Sequence, residues 1–323
     1  MAVITGRANG YIAMALEASA GAPAQPVAYI PYLESTLNGR QDVLADSSAR
    51  GVRDENAENS QLGKRWGEGN LRVNLDATLA GYLMALAMGS RSVVSEGGGV
   101  YTHTFSRNNS NTPLTSSVIF NRGTDKVLFH YAVVNSFDLT FDDGMAEVNA
   151  GFTSKFPVTS TSGTLTTTSG FYYAFRHATV QISDTITNAA NSATPLKVRS
   201  FSLSINNNTE NQFVAGNREP DSIINKSFSV TGSMRLAFES STEKDYFINL
   251  TKTAMVVTFN GNGIGNAMTE FVKLRIYKMR VDDFKVDVPN DDYVSEEITF
   301  TAEYSSTDTA TCDLQARNRQ SSY

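Results

Sequence analysis

The sequence predicts a mainly β protein made of two tandem antiparallel domains, each flanked by one short helix. Three observations predict this: residues alternate between apolar and polar over most of the chain, only two segments have helical spacing, and one strand pattern occurs twice. Alternation with a period of two is typical of strands with one buried face. The 323 residues also exceed the size, near ~250–300 residues, at which single cores stop growing.

Two hairpins of similar design illustrate the strand pattern. In the first, apolar residues alternate over 137–141 and again over 146–152, and the two runs are separated by the turn sequence Asp-Asp-Gly at 142–144. In the second, alternation over 284–288 leads into a Pro-Asn-Asp-Asp turn and resumes over 298–304. Each hairpin is expected to have one buried face and one polar face.

Two segments are predicted as helices. The first covers about 77–88, with Asp76 as N-cap and Gly89 as the stop. The second covers about 241–251 and begins in a sequence with capping-box spacing, Ser240 to Glu243. Each has an apolar stripe expected to be buried, Leu79, Tyr82, Leu83 and Leu86 in the first and Tyr246, Phe247 and Leu250 in the second.

The repeated strand is GNLRVNLD at 69–76 and GSMRLAFE at 232–239, 163 positions apart. Both copies have glycine first, arginine fourth, an acidic residue eighth and large apolar residues third, fifth and seventh. Each copy is followed by a helix, a strand (THTF at 102–105, VVTF at 256–259) and a closing hairpin at Phe137 or Phe284. This order predicts an internal duplication; the alternative is one large sandwich whose strands share a generic pattern.

The duplication predicts a first domain at 1–158, a Ser/Thr/Gly-rich linker at 159–170 and a second domain at 171–323. Each domain contains a long polar loop before its copy of the repeated strand, at about 38–65 and about 206–226. Structureless loops longer than ~12–15 residues are usually functional or disordered.

Composition excludes several classes of protein. Acidic residues number 33 against 27 basic ones, and the pI near 5.2 lies far below the ~9 typical of specific nucleic-acid binders. A single cysteine, Cys312, precludes an intramolecular disulfide. The amino terminus lacks signal-peptide layout, and the longest apolar stretch, ten residues, is too short to span a bilayer. We therefore expect a soluble product of a reducing cytoplasm.

The sequence offers no catalytic or metal-binding motif, so we predict no enzyme activity, no cofactor and no metal. His103, His130 and His177 lie in separate strand-like contexts without a second ligand at metal-site spacing. The glycine-rich stretch at 261–267 has no following helix and is interpreted as a turn rather than a phosphate loop. The acidic turns at 142–144 and 290–292 lack calcium-loop register.

Four stretches carry a resemblance to a known family. They are GYIAMALEASAGAPAQPVAYIPY at 10–32, RWGEGNLRVNLDATLAGYLMALAMGS at 65–90, the YTHTF that follows, and VVNSFDLTFDDGMAEVNAGFTSKFP at 133–157. They resemble bacteriophage tail tube proteins, also called major tail proteins, over nearly the whole chain. The resemblance implies a small β-sandwich or half-barrel with one flanking helix. In that family six such domains form a ring whose inner sheets join into a barrel, and long loops stack the rings.

Two tube domains per chain would make a ring of three chains, a homotrimer with pseudo-sixfold symmetry, with a homohexamer as the alternative. The implied partners are the tape-measure protein and transiting DNA in the lumen, tail terminator and baseplate or tip proteins at the ends, and a sheath protein if the tail is contractile. No membrane partner is expected. The implied location is the virion tail, after synthesis in the host bacterial cytoplasm.

The resemblance also suggests two sets of site residues. Candidates for contacts between stacked rings are Asp46, Arg50, Arg53, Asp54, Glu55, Glu58, Arg218 and Glu219. Candidates for the lumen wall are Asp138, Glu147, Asp287 and Glu297. The alternatives are mobile solvent loops for the first set and outward-facing solvent positions for the second. Other functions compatible with the sequence are a tail terminator, a decoration protein, or a carbohydrate-binding or adhesin β-sandwich, the last suggested by 13 tyrosines.

Overall fold

The fold comes from a computed structural model and is mainly β, with large antiparallel sheets, as the alternating pattern predicted. The structure describes residues 10–26, 28–48, 51, 54, 56–123, 125–160, 170–240, 242–288 and 294–323, with backbone only for 56–58.

The strands of the first half are β1 (Gly10–Leu16), β2 (Ala28–Ile30), β3 (Glu34–Ser35), β4 (Asn38–Asp46), β5 (Asn56–Asn74), β6 (Gly89–Gly97), β7 (Val100–Arg107), β8 (Ser116–Arg122), β9 (Lys126–Phe141), β10 (Glu147–Ser154) and β11 (Val158–Thr159). Those of the second half are β12 (Ala178–Ser183), β13 (Val198–Asn206), β14 (Glu210–Gln212), β15 (Ser222–Ile224), β16 (Ser229–Ala237), β17 (Thr253–Gly265), β18 (Met268–Asp287), β19 (Ser295–Glu303) and β20 (Cys312–Asn318). The helices are α1 (Ala80–Met88), α2 (Ile186–Ala190), α3 (Thr242–Ile248) and a 3-10 turn at Phe175–His177.

One sheet runs through both halves of the chain, and we call it the central sheet. Its strands lie in the order β3/β4, β5, β10, β9, β13, β16, β19, β18, with every neighbouring pair antiparallel. The first four positions come from the first half and the last four from the second. The two halves meet where β9 pairs with β13, which we call the internal seam.

Each half places a second layer over the central sheet. In the first half this layer is β2, β1, β8 and the start of β9, with β11 on the far side. In the second half it is β12, β17, the start of β18 and β20, followed by β7 and β6 from the first half. The long strands β9 and β18 therefore belong to both layers, and most of the buried apolar residues form one continuous core between them.

The two four-strand sets share their registers. Arg72 of β5 lies opposite Asn149 of β10, and Arg235 of β16 lies opposite Glu297 of β19. A β-bulge follows Gly151 in the β9–β10 pair, and a bulge occurs in the β18–β19 pair between the partners of Thr299 and Phe300. Gly151 and Thr299 occupy the same place in their sets, so both copies bend at the same point.

The glycine that opens each repeated strand lies close to the backbone of a neighbouring strand; in addition Gly69 has a φ of +148°, and the Phe300 ring lies beside Gly232. A Cβ on Gly69 would lie 2.5 Å from the carbonyl oxygen of Thr36, and one on Gly232 would lie 2.5 Å from the carbonyl oxygen of Ser202. No side chain fits at that distance, because the neighbouring strand approaches too closely. The shared glycine thus follows from shared strand packing.

The predicted match between THTF and VVTF is wrong. THTF lies in β7, which pairs with β6 and β20, whereas VVTF lies in β17, which pairs with β12 and β18. The strand of the first half with the pairing pattern of β17 is β8, between β1 and β9. Local alternation is similar in all three strands, and only the long-range partners distinguish them.

The helices differ in how well they match the prediction. Asp76 accepts backbone hydrogen bonds from Thr78 and Leu79 at 2.6 and 2.5 Å, and α1 ends at Gly89 in the left-handed conformation. Burial raises the pKa of Asp76 to about 6. The helix starts at Ala80, three residues later than predicted. The stripe predicted for α3 is wrong for two of its residues, since Phe247 and Leu250 are exposed.

Candidate assembly surfaces

The central sheet has one apolar face and one polar face. Along β9, Phe137, Leu139 and Phe141 are buried in the core. The intervening residues point the other way, and the strand registers carry that alternation across all eight positions. The polar face includes Asn70, Arg72, Ser136, Asp138, Thr140, Glu147, Asn149, Ser202, Ser204, Thr231, Ser233, Arg235, Lys285, Asp287, Glu297, Thr299 and Thr301.

The structure brings all four predicted lumen residues onto this polar face. Asp138 and Glu147 lie on neighbouring strands of the first half, and Asp287 and Glu297 lie on neighbouring strands of the second. The hydroxyl of Ser204 donates a hydrogen bond to the Asp138 carboxylate at 2.6 Å across the internal seam. The shared register places the polar sides of the two hairpins on one face of the sheet.

Arginines on the polar face are paired with carboxylates. Arg40 lies 2.9 Å from Glu68, and Arg72 lies within 4 Å of both Glu34 and Glu147. In the second half, Arg235 lies 3.6 Å from Asp287 and Arg280 contacts Asp282 and Glu303 at 2.7 and 2.6 Å. These pairs are partly exposed, so each adds little stability. Each pair compensates the positive charge of its arginine.

The segment predicted as a long polar loop at 38–65 is instead a β-hairpin, formed by β4 and the first part of β5. We call it the hairpin arm. A ribbon exposed on both faces has no apolar alternation, so the residue pattern carries no signal for this hairpin. Val43 and Leu62 lie opposite each other on the arm and are 65% and 56% exposed. An exposed cross-strand apolar pair is a feature expected of a contact surface.

The second polar loop supports the base of this arm. Arg218 donates hydrogen bonds to the Gly63 carbonyl at 3.0 Å and to the Gln41 side chain at 2.8 Å. The carboxylate of Glu219 lies 2.5 Å from the Arg65 guanidinium. The rings of Trp66 and Phe213 also pack edge to face, with centroids 6.2 Å apart. The two predicted stacking loops are therefore in contact, and short strands β14 and β15 form part of the second.

Of the other stacking candidates, Asp46 is the last residue of β4. Asp46 accepts hydrogen bonds from Ser48 and, at 3.1 Å, from the Asn59 side chain. Asp54 is exposed. Glu58 lies in β5, where only the backbone is described. Arg50, Arg53 and Glu55 fall outside the described residues.

The three histidines lie within the described residues, whereas the acidic turn at 290–292 falls outside them. His103 is buried, its Nε2 lies 2.7 Å from the carbonyl oxygen of Gln320, and burial lowers its pKa. The glycine-rich stretch at 261–267 forms the connection between β17 and β18. Within the described ranges, no cluster of three or more His, Cys, Asp or Glu residues has the arrangement of a metal site. No described helix is long and apolar enough to cross a membrane.

These features are typical of a β-structured assembly protein: it has two layers of antiparallel sheet, a polar face that spans both halves and a protruding hairpin. The family comparison is specific: the family model for phage tail tube protein matches residues 7–302. The chain therefore belongs to the phage tail tube protein family, a structural family of the phage tail. A search of curated proteins finds no match.

Proposed function

We propose that this chain forms the wall of a phage tail tube, with the polar face of its central sheet lining the channel. The observation that supports this best is the continuity of that face across the internal seam, where two four-strand sets meet edge to edge. A curved sheet that continues into neighbouring copies closes into a barrel without exposed edges. The tape-measure protein first and DNA later would occupy the channel.

The shared registers support two tube domains per chain, at 1–158 and 171–323, and hence three chains per ring. Six chains per ring is the alternative. Tail terminator and baseplate or tip proteins would cap the stacked rings, and a sheath protein would surround them if the tail is contractile. Such a tube is part of the virion and assembles from subunits made in the host cytoplasm.

Electron microscopy of the purified protein tests the proposal directly. We expect hollow tubes, and averaging of their cross-sections should give three chains per ring with pseudo-sixfold density. Six chains per ring would contradict the two-domain interpretation. A monomer that never assembles, and that binds glycans, would favour the adhesin alternative.

The hairpin arm is proposed to stack one ring on the next. In this view Val43 and Leu62 contact the neighbouring ring, whereas Arg218 and Glu219 hold the arm in place.

Deleting 47–58 should stop tube growth and leave folded single rings or subunits. The substitution pair Val43→Ser and Leu62→Ser should shorten tubes, while Val93→Ser and Val94→Ser on the exposed β6 strand serve as the matched control. Tubes of normal length after the deletion would refute the stacking role.

The paired arginines support a channel surface that does not retain DNA. Each phosphate that a protein neutralises with Lys or Arg adds salt-dependent affinity. Removing the four carboxylates takes Asp287 from Arg235 and Glu147 from Arg72 and lowers the negative charge of the face, so that the unassembled subunit should bind a short DNA duplex at low salt and release it at high salt. A control with the same net charge neutralises acids elsewhere. The test set is Asp138→Asn, Glu147→Gln, Asp287→Asn and Glu297→Gln, and the control set is Asp184→Asn, Asp221→Asn, Glu239→Gln and Asp245→Asn. Equal affinities for the two sets would contradict the idea.

A further inference from the structure

The central sheet ends in two strands that have no second strand beside them there among the described residues, and on one of them the Arg122 side chain donates a hydrogen bond to the Leu37 carbonyl at 2.6 Å. One is the β3/β4 edge of the first half, and the other is the end of β18, from Asp282 to Asp287; we call this end together with the following Val288 the open edge. We propose that the open edge of one copy pairs antiparallel with the β3/β4 edge of a second copy, in the register of the internal seam. This inference rests on the ring assembly proposed above and adds its residue register.

The β3/β4 edge corresponds position by position to β13. Glu34 lies opposite Arg72 and Asn38 opposite Glu68, just as Ser200 lies opposite Arg235. Ser204, opposite Thr231, is therefore the counterpart of Asn38. Both edges border the repeated strand whose glycine requires the close approach described above.

The open edge corresponds in the same way to the end of β9. Asp138 lies opposite Asn149 of β10, and Lys285 lies opposite Glu297 of β19. Since Asn149 and Glu297 are equivalent, Lys285 is the counterpart of Asp138. The equivalent bulges in the two pairs place the following residues in step as well, so that Val286 matches Leu139 and Val288 matches Phe141.

The internal seam then fixes the register between copies. There Ser204 lies opposite Asp138, Leu203 opposite Leu139 and Asn206 opposite Ser136. Replacing each residue by its counterpart sets Asn38 opposite Lys285 of the second copy and Leu37 opposite Val286 of the second copy. Arg40 falls opposite Asp283 of the second copy, which adds an opposite-charge pair on the polar face.

Unequal burial supports the same pairing. Phe141 is 5% exposed, because it stacks on Phe201 across the internal seam with ring centroids 5.4 Å apart. Its counterpart Val288 is 70% exposed, and Val286 is 38% exposed. Both lie in line with the buried face of their strand. The open edge is thus apolar where β9 is apolar and charged where β9 is polar, as expected of a surface that a second copy covers. In this register Val286 falls opposite Leu37, and Val288 falls opposite Ser35, the counterpart of Phe201.

Cysteine pairs test the register. Asn38→Cys with Lys285→Cys should form disulfides between copies in assembled rings and give a covalent trimer on a non-reducing gel. Asn38→Cys with Asp287→Cys, two residues out of register, should cross-link far less. Asp138→Cys with Ser204→Cys is the internal control, and it should form its disulfide within one chain. The native Cys312 is buried, so the unsubstituted protein should show no ladder.

The outcomes separate this inference from the proposed function. If tubes form and neither pair between copies cross-links, or the out-of-register pair cross-links better, the register is refuted while the tube function stands. If no ring or tube forms even in the unsubstituted protein, the proposed function itself fails. Cross-linked ladders that extend to six chains would keep the register and refute the trimer.

Discussion

The helices of the two halves have opposite environments, although each packs beside the long strand of its own half. All nine residues of α1 are buried, whereas Glu243 is the one buried residue described in α3. The second half covers α1: the Tyr323 ring packs on Tyr82 with centroids 5.0 Å apart, and Asn207 donates a hydrogen bond to the Ala87 carbonyl at 2.9 Å. On α3, Phe247 and Ile248 remain exposed. The second half of the chain thus covers the helix of the first half, whereas Phe247 and Ile248 on the helix of the second half stay exposed.

The largest expected effect compares two equivalent strand positions, one buried in the first half and the other exposed in the second. Phe141→Asp places a charge in the closed core and should destabilise the fold by about 4 kcal/mol or more, enough to unfold much of the protein. Val288→Asp should change stability by less than about 0.5 kcal/mol but prevent ring assembly. Thermal unfolding followed by circular dichroism, with size-exclusion chromatography, measures both. Similar melting temperatures for the two variants would contradict the difference in burial between Phe141 and Val288.

A second effect tests whether the halves rely equally on their repeated glycine. Gly69→Ala and Gly232→Ala should each cost about 2–3 kcal/mol, because the new methyl group meets the neighbouring strand. Gly144→Ala, where a Cβ meets nothing within 4 Å, is the control. Chemical denaturation gives the free energy of unfolding for all three. A cost at only one of the two repeated glycines would show that the halves are packed differently there.

The smallest effect concerns a position where the halves differ in chemistry. Val148 is buried in the first half, and its counterpart in the second is the buried Glu296, whose Oε2 has no hydrogen-bond partner among the described residues. Burial raises the pKa of Glu296 to about 7, with a further contribution from Glu243. A carboxyl group whose pKa is raised on folding destabilises the folded state as pH rises from its unfolded pKa, near ~4.3, towards 7.

Glu296→Gln should therefore increase the free energy of unfolding at pH 8 by on the order of 2 kcal/mol, which raises the unfolding temperature. The substitution should have little effect at pH 5. Glu297→Gln, at the exposed neighbouring position on the polar face, is the matched control for the loss of one carboxylate. Parallel pH profiles for Glu296→Gln and the unsubstituted protein would contradict a buried charge at this position.

Sequence patterns were sufficient wherever one strand or helix face is buried by its own neighbours. Phe137, Leu139 and Phe141 gave the strand, Gly89 gave the end of the first helix, and the repeated strand gave the two matching sets. The predicted N-cap Asp76 is wrong, since the N-cap is Leu79. The patterns failed where the outcome depends on distant partners. Nothing local in β7 indicates that it pairs with β20, and nothing in the α3 stripe indicates that its apolar residues stay uncovered in a single chain.

The candidate sites were predictable to a similar degree. Alternation indicated that Asp138 and Glu297 lie on polar faces, but only the β9–β13 pairing makes those faces one surface. The contact between Arg218 and Gly63 joins residues 155 positions apart and has no local signal.

The pairing of β7 with β20 also affects how the protein folds. Thr104 lies opposite Gln315, so this strand pair waits for more than 200 further residues to be synthesised before it forms. Contacts of such long sequence separation slow folding. Newly made first halves would therefore stay incomplete on the ribosome, and the subunit would become competent to polymerise only after β20 pairs with β7. Synthesis itself would then delay premature polymerisation.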